Sequence, residues 1–276
     1  MSFQQEVDGE KRFEFGNNWQ SFLSVLDEER IRYAQNSFCD FFGKKDLTGM
    51  SFLDIGSGSG LSSLVARRLG AKVHSFDYDA TSVACAKELK TNYFKKDPLW
   101  RIEKGSVLDR KYIEELGQFD ICHAYGVLQH TGNLWQALYN AQLAVSEGGL
   151  LFIAIYNDQG IISSCWRLVK KAYCSGKFSK VILTIIFYLF FFCGGLLIDI
   201  GHFANPLKRY KDHKKMRGMS LIHDWKDWLG GYPFEPASPA KLISFVKNLG
   251  YKLNNFKSAP IGFGNNQYLF EKVRGK

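Results

Sequence analysis

Phe52-Leu53-Asp54-Ile55-Gly56-Ser57-Gly58-Ser59-Gly60 is the stretch that decides the fold. A short apolar run enters a glycine-rich turn, a helical stretch follows, and seventeen residues after Gly60 a second apolar run closes on Asp77. Strand, glycine turn, helix and acid-terminated strand build a nucleotide-cofactor site. Glycines let backbone N–H groups approach a ligand without Cβ interference, and a carboxylate on the second strand can accept both hydroxyls of a ribose. A dinucleotide fingerprint spaces its glycines G-x-G-x-x-G, with pyrophosphate on the helix N-terminus. Here the third glycine comes one residue early and Asp54 stands before the turn. An acid there repels a pyrophosphate but suits the cationic amino and sulfonium groups of S-adenosylmethionine.

The run from Phe52 to Asp79 resembles motif I and the adjoining acidic strand end of class I S-adenosylmethionine-dependent methyltransferases. The resemblance implies S-adenosyl-L-methionine as cofactor, with Asp54, Gly56, Gly58 and Gly60 at its methionine end, Asp77 on the ribose and Tyr78 near the adenine. Ser106 and Val107 fall where relatives place an Asp near the adenine amine; Asp109 either substitutes for it or simply starts a helix. Asp120 to His130, DICHAYGVLQH, resembles the motif after the fourth strand in the quinone-type, small-molecule subgroup. That places Tyr125 at the cofactor and His130 near the transferring methyl, as a base or as a residue that orders the loop.

Alternation of strand and helix extends the reading. Strands are expected near 51–55, 72–77, 101–104, 119–124 and 149–156, with helices near 60–69, 80–94 and 133–146, a doubly wound α/β pattern. A helix is expected near Trp19 to Phe42, another from Pro239 to Leu249, and closing strands at 252–256 and 267–273. The resemblance implies a Rossmann-like seven-stranded sheet with a closing antiparallel hairpin. The chain then divides into an N-terminal helical cap (1–48), a cofactor-binding core (49–156), an inserted lid or membrane-contacting segment between strands 5 and 6 (157–238), and a C-terminal helix and hairpin (239–276).

At 276 residues and 46% hydrophobic, the chain can bury one large core. Its six cysteines have no C-x-x-C spacing, which points to reduced thiols rather than zinc or disulfides, and 1–8 does not read as a secretory signal. A cytoplasmic protein is expected. The net charge of +9 favours anionic partners. Nucleic acid is not expected among them, because the Asn/Asp-Pro-Pro-aromatic sequence and the Pro-Cys of nucleic-acid methyltransferases are missing. Between Asp158 and Asp199 there is no acid, and Arg167, Lys170, Lys171, Lys177 and Lys180 precede the apolar run 181–198, with a basic cluster at 208–217 beyond it. As one helix that run approaches the ~30 Å of a bilayer core, yet residues 239–273 must return to the sheet, so a single crossing breaks the fold. Three readings follow: a buried lid helix, an in-plane membrane element at the inner face, or a re-entrant hairpin turned at Gly194-Gly195.

Residues 217–235 hold two tryptophans, His223-Asp224 and an aromatic-Pro-aromatic run. With Tyr156-Asn157-Asp158 and the Asn18-Trp19 region, they resemble segments of uncharacterised bacterial methyltransferases of polysaccharide or quinone pathways. In that reading Trp19 caps the cofactor, His223 and Asp224 join His130 in catalysis, and Tyr156, Asp158, Arg217, Trp225, Tyr232 and Glu235 bind the acceptor. No ligand spacing compels a metal. The function expected is O-methylation of a glycan, glycolipid or quinone-like small molecule. The alternatives are a non-catalytic cofactor-binding module and a nucleic-acid or protein methyltransferase.

Overall fold

Four of the five residues of β1 (Ser51–Ile55) are buried, as in a strand covered on both faces. Phe52 joins Leu64, Val73 and Phe152 on one side of the sheet, while Leu53 and Ile55 join Phe76, Ala137 and Leu242 on the other. The computed structural model describes residues 5, 6, 9, 12–201, 205, 221–259 and 264–273; within 221–230 the side chains of 221–224 and 227 lie outside the description. β1 pairs in parallel with β2 (Lys72–Asp77) and β4 (Phe119–Tyr125). β3 (Trp100–Lys104) and β5 (Val145–Tyr156) extend the parallel sheet on either side, and the antiparallel hairpin of β6 (Tyr251–Lys257) and β7 (Asn265–Lys272) closes it. The order is β3-β2-β1-β4-β5-β7-β6, the α/β seven-stranded arrangement expected from sequence.

The helices refine that expectation. Two helices, α1 (Gly16–Leu23) and α2 (Glu28–Phe42), stand where one was expected: the first ends at a Ser24 C-cap, and extended Asp27 caps the second by accepting the Arg30 N–H. Between the strands run α3 (Leu61–Arg68), α4 (Ala80–Tyr93), α5 (Arg110–Glu115) and α6 (Leu134–Leu143). β5 starts at Val145, four residues before the expected start at 149.

The segment 157–238, irregular by sequence, contains α7 (Ile161–Cys174), α8 (Lys177–Gly201) and α9 (Leu221–Gly230); α10 (Pro239–Asn248) follows. α8 is apolar on every side, so no 3.6-residue period marks it in the sequence. It runs straight through Gly194 and Gly195, which removes the hairpin reading, and none of its most apolar 18 residues is buried, which removes the buried-lid reading. All six cysteines are free thiols.

Candidate active site

The glycine turn takes its shape from left-handed backbone at Gly56 (φ 68°), Gly58 (φ 52°) and Gly60 (φ 83°). A Cβ on Gly56 would lie 2.2 Å from Val127 Cγ2, and one on Gly58 would lie 2.9 Å from the Trp19 indole. Both positions therefore need glycine for close approach as well as for φ. The N–H groups of Gly56 and Ser57 donate to the Phe76 carbonyl at 2.9 and 3.0 Å, tying the turn to β2. Asp77, closing β2, accepts the Gly58 N–H and the Asp79 N–H, each at 2.9 Å. Desolvation pushes its carboxyl up to about 6, against the opposing pull of those two bonds. Asp79 caps α4 and accepts the Gly16 N–H at 2.8 Å, which holds α1, and with it Trp19, over the turn.

An adenosyl amino acid would find partners here. Asn18 is 1% exposed, with neither amide atom hydrogen-bonded, and the buried Ser57 hydroxyl is likewise unpartnered. Buried polar groups are nearly always satisfied, so these are donors and acceptors shaped for a polar ligand.

Asp54 departs from its expected place at the methionine end. Its carboxylate is buried in the sheet, where Oδ2 accepts the Ser63 hydroxyl at 2.5 Å and Oδ1 meets His123 Nδ1 at 3.1 Å. Ser63 continues to Ser75, which accepts from the Trp100 indole. The cause is register: Asp54 lies opposite His123 on β4, whose ring stacks on Phe152 at 4.7 Å. At the adenine end, Ser106 turns its hydroxyl to the Leu108 N–H, Val107 is buried and its carbonyl accepts from Asn140, and Asp109 caps α5 through the Tyr112 N–H. Tyr78 reaches Glu6 at 3.4 Å beneath the Arg12 guanidinium, and Tyr125 is half exposed at the end of β4.

His130 lies in a 3-10 turn (Leu128–His130) after β4, 7% exposed between Phe15 and Tyr156. Its Nδ1 donates to the Pro233 carbonyl at 2.7 Å, which fixes the tautomer and leaves the lone pair on Nε2. Burial, with the charges of Lys170 and Arg12, pushes the imidazole down to about 3, so the ring is neutral at pH 7. Arg12 donates to the His130 and Thr131 carbonyls, so the N-terminal segment, this turn and the 233–235 strap are bound together.

Several expected acceptor residues hold structure instead. Glu235 accepts the Leu134 N–H at 2.9 Å at the start of α6; Asp158 is exposed and folds back on the Gly160 N–H; Trp225 packs on Tyr188 and Phe191 of α8. The Tyr232 carbonyl accepts the Phe13 N–H. Tyr156 lies edge-on to His130 and Trp228. Arg217 and the side chains of His223 and Asp224 lie outside the described residues.

Sequence reasoning missed Lys170, which it counted as one of a basic flank. Fully buried, its ammonium lies 4.4 Å from the Trp228 ring and 4.8 Å from that of Phe234, and it donates to the Trp228 carbonyl. Its only sequence signal is its place on α7.

Residues 53–151 match the family described as methyltransferase domain. The ubiquinone biosynthesis O-methyltransferase of Glaesserella parasuis serovar 5 is 28% identical over 135 residues, 49% of this chain and 55% of that protein. The chain thus spans about half the length of the curated relatives it matches. Among solved structures, magnesium protoporphyrin IX methyltransferase from Synechocystis PCC 6803 with bound SAH superposes with TM-score 0.52 at 12% identity, covering 99% of this chain and 89% of that one. An O-methyltransferase family protein from Burkholderia thailandensis gives TM-score 0.51 at 12% identity, over 94% and 69% of the two chains. At such identity these two structures show the fold alone. Turn, acid-terminated β2, strand order and the match over 53–151 agree: residues 53–151 form a methyltransferase domain, on a fold similar to that of class I S-adenosylmethionine-dependent methyltransferases.

Proposed function

We propose that this protein moves a methyl group from S-adenosylmethionine to a hydroxyl oxygen of a quinone-like, glycan or glycolipid acceptor at the cytoplasmic face of a membrane. The observation that carries the reading is the unpartnered, buried Asn18 amide and Ser57 hydroxyl beside a left-handed glycine turn. The likeness to ubiquinone biosynthesis O-methyltransferases supports a small-molecule acceptor. When bound, S-adenosylmethionine supplies an electrophilic methyl together with its own leaving group. The protein is left to align the acceptor and remove its proton.

In this reading the turn's N–H groups, Asn18 and Ser57 hold the amino-acid end, Asp77 accepts from the ribose through lone pairs its backbone partners leave free, and Trp19 keeps water off the turn. His130 acts as a positioning residue that orders the loop, because a base titrating near 3 is poorly matched to neutral pH. His223 keeps the role of proton acceptor. Tyr156, edge-on to His130, would meet the acceptor, with the buried Lys170 ammonium 5.9 Å from its ring behind it.

Radiolabelled S-adenosylmethionine incubated with the purified protein and a fractionated lysate tests this. Label in the small-molecule, lipid or polysaccharide fraction is expected. Tight S-adenosylhomocysteine binding with no label anywhere would replace the reading with a cofactor-binding module, and label in nucleic acid or protein would change the acceptor class.

A further inference from the structure

α8 half-covers one stripe and exposes another, and both are apolar. Leu183, Phe187, Tyr188 and Phe191 pack with Trp166 of α7 and Trp225 of α9. Val181, Ile185, Leu189, Phe190, Leu197 and Ile200 are each at least 57% exposed. On α7, packed antiparallel beside it, Ile161 and Leu168 are 83% and 69% exposed. A large aliphatic side chain left in water forgoes on the order of 1.5–3 kcal/mol relative to burial, and monomeric soluble proteins rarely present such a contiguous patch.

Charge selects what covers it. Lys171, Lys177 and Lys180 are exposed where α7 meets α8, no acid occurs between Asp158 and Asp199, and the basic cluster 208–217 follows the helix in sequence. A second copy laid parallel along α8 would bring Lys177 and Lys180 against their own counterparts, whereas an anionic leaflet attracts them.

Packing selects the mode. At 25 residues α8 is ~37 Å long and has the length to cross a ~30 Å hydrocarbon core. Trp225, however, seats on Tyr188 and Phe191 midway along it, and Lys226 adjoins that contact. A crossing would hold α9 and its lysine near the bilayer centre, where a charge is expensive. We infer that α7 and α8 form an in-plane anchor that sinks its bare apolar face into one anionic leaflet and rests Lys171, Lys177 and Lys180 on the headgroups. This extends the membrane-side placement proposed above, but its test reads lipid binding alone: failure here leaves methyl transfer standing, and absent transfer leaves the anchor standing.

The test is flotation of the full-length protein, its folding verified by circular dichroism, with phosphatidylcholine vesicles with and without phosphatidylglycerol. Binding to the anionic vesicles is expected, weakened at least about tenfold by the triple variant K171E/K177E/K180E. A fluorophore on exposed Cys193, with exposed Cys165 changed to Ser, then reports depth by quenching from brominated lipids. Quenching at the headgroup boundary supports the anchor. Quenching at the bilayer centre overturns it in favour of a span, and failure to bind anionic vesicles overturns it outright, with concentration-dependent dimerisation then assigning the face to a second copy.

Discussion

Asp54, next to last in β1, and Asp77, closing the neighbouring β2, stand two residues before and seventeen residues after the glycine turn, and their surroundings give them opposite tasks. Asp54 is an internal acceptor for Ser63 and His123. Asp54→Ala should strand both donors in the core and cost about 2–4 kcal/mol, read as a lower urea midpoint with unchanged slope. Its pairing was illegible in the sequence because the partner, His123, is sixty-nine residues away and meets it only through the β1–β4 register. Asp77, by contrast, was legible as the acid ending β2. With its carboxyl raised to about 6, it stabilises the cofactor-free fold below the unfolded value near 3.8, a contribution lost as pH rises through 6. His130, lowered to about 3, behaves in the opposite sense: its contribution is complete above 6.5 and is lost as pH falls. Between pH 4 and 6 the two slopes oppose, so melting temperature should rise more steeply with pH in Asp77→Asn and less steeply in His130→Gln than in the parent. Ribose hydroxyls prefer the Asp77 anion, so S-adenosylhomocysteine affinity by calorimetry should climb from pH 5 to 7 in the parent, and in Asp77→Asn should be weak and flat.

Elements in the core were readable because each has its own signal: β1 an apolar run ended by glycine, α4 an Asp cap. The break between α1 and α2 is four residues, Ser24 to Asp27, inside a continuous helical composition, and a pattern averaged over a window hides it. α8 hides differently, since uniform apolarity carries no face. Only packing separates its two stripes, and substitution should expose the difference. Phe187→Asp should unfold the α7–α8 pair, lowering helical circular dichroism, because Phe187 meets Trp166 and Phe191. Leu189→Asp, on the 59% exposed side, should leave stability in buffer within about 0.5 kcal/mol. The strap 233–235 follows the same logic: Glu235 complements the N-terminus of α6, so Glu235→Ala should cost about 1 kcal/mol in thermal unfolding while Glu235→Gln, which keeps an acceptor, costs less.

At the scale of the whole molecule, the sheet is assembled from two separated stretches, β1 to β5 and then β6 and β7, with the helical segment leaving and rejoining at one point. Asn157 bridges to Ala237, the Asp158 N–H donates to the Ala237 carbonyl at 3.3 Å, and the Ala237 N–H donates to the Tyr156 carbonyl at 3.0 Å. Ends that meet allow an insertion to be removed without pulling the sheet apart. Replacing residues 161–231 by a short Gly-Ser linker, with the strap from Pro233 onward kept, should therefore leave a cooperatively unfolding α/β protein with native strand content by circular dichroism. It should also weaken S-adenosylhomocysteine binding. Phe13, which leads into α1, packs on Tyr173 and against Gly230, and both belong to the removed segment. With that packing gone, Trp19 loses part of its hold over the Gly58 turn while Asp77 and the turn itself remain. A deletion protein that unfolds would show the helices to be part of the core rather than an addition to it, whereas one that binds cofactor as tightly as the parent would show that α1 is held by Asp79 alone.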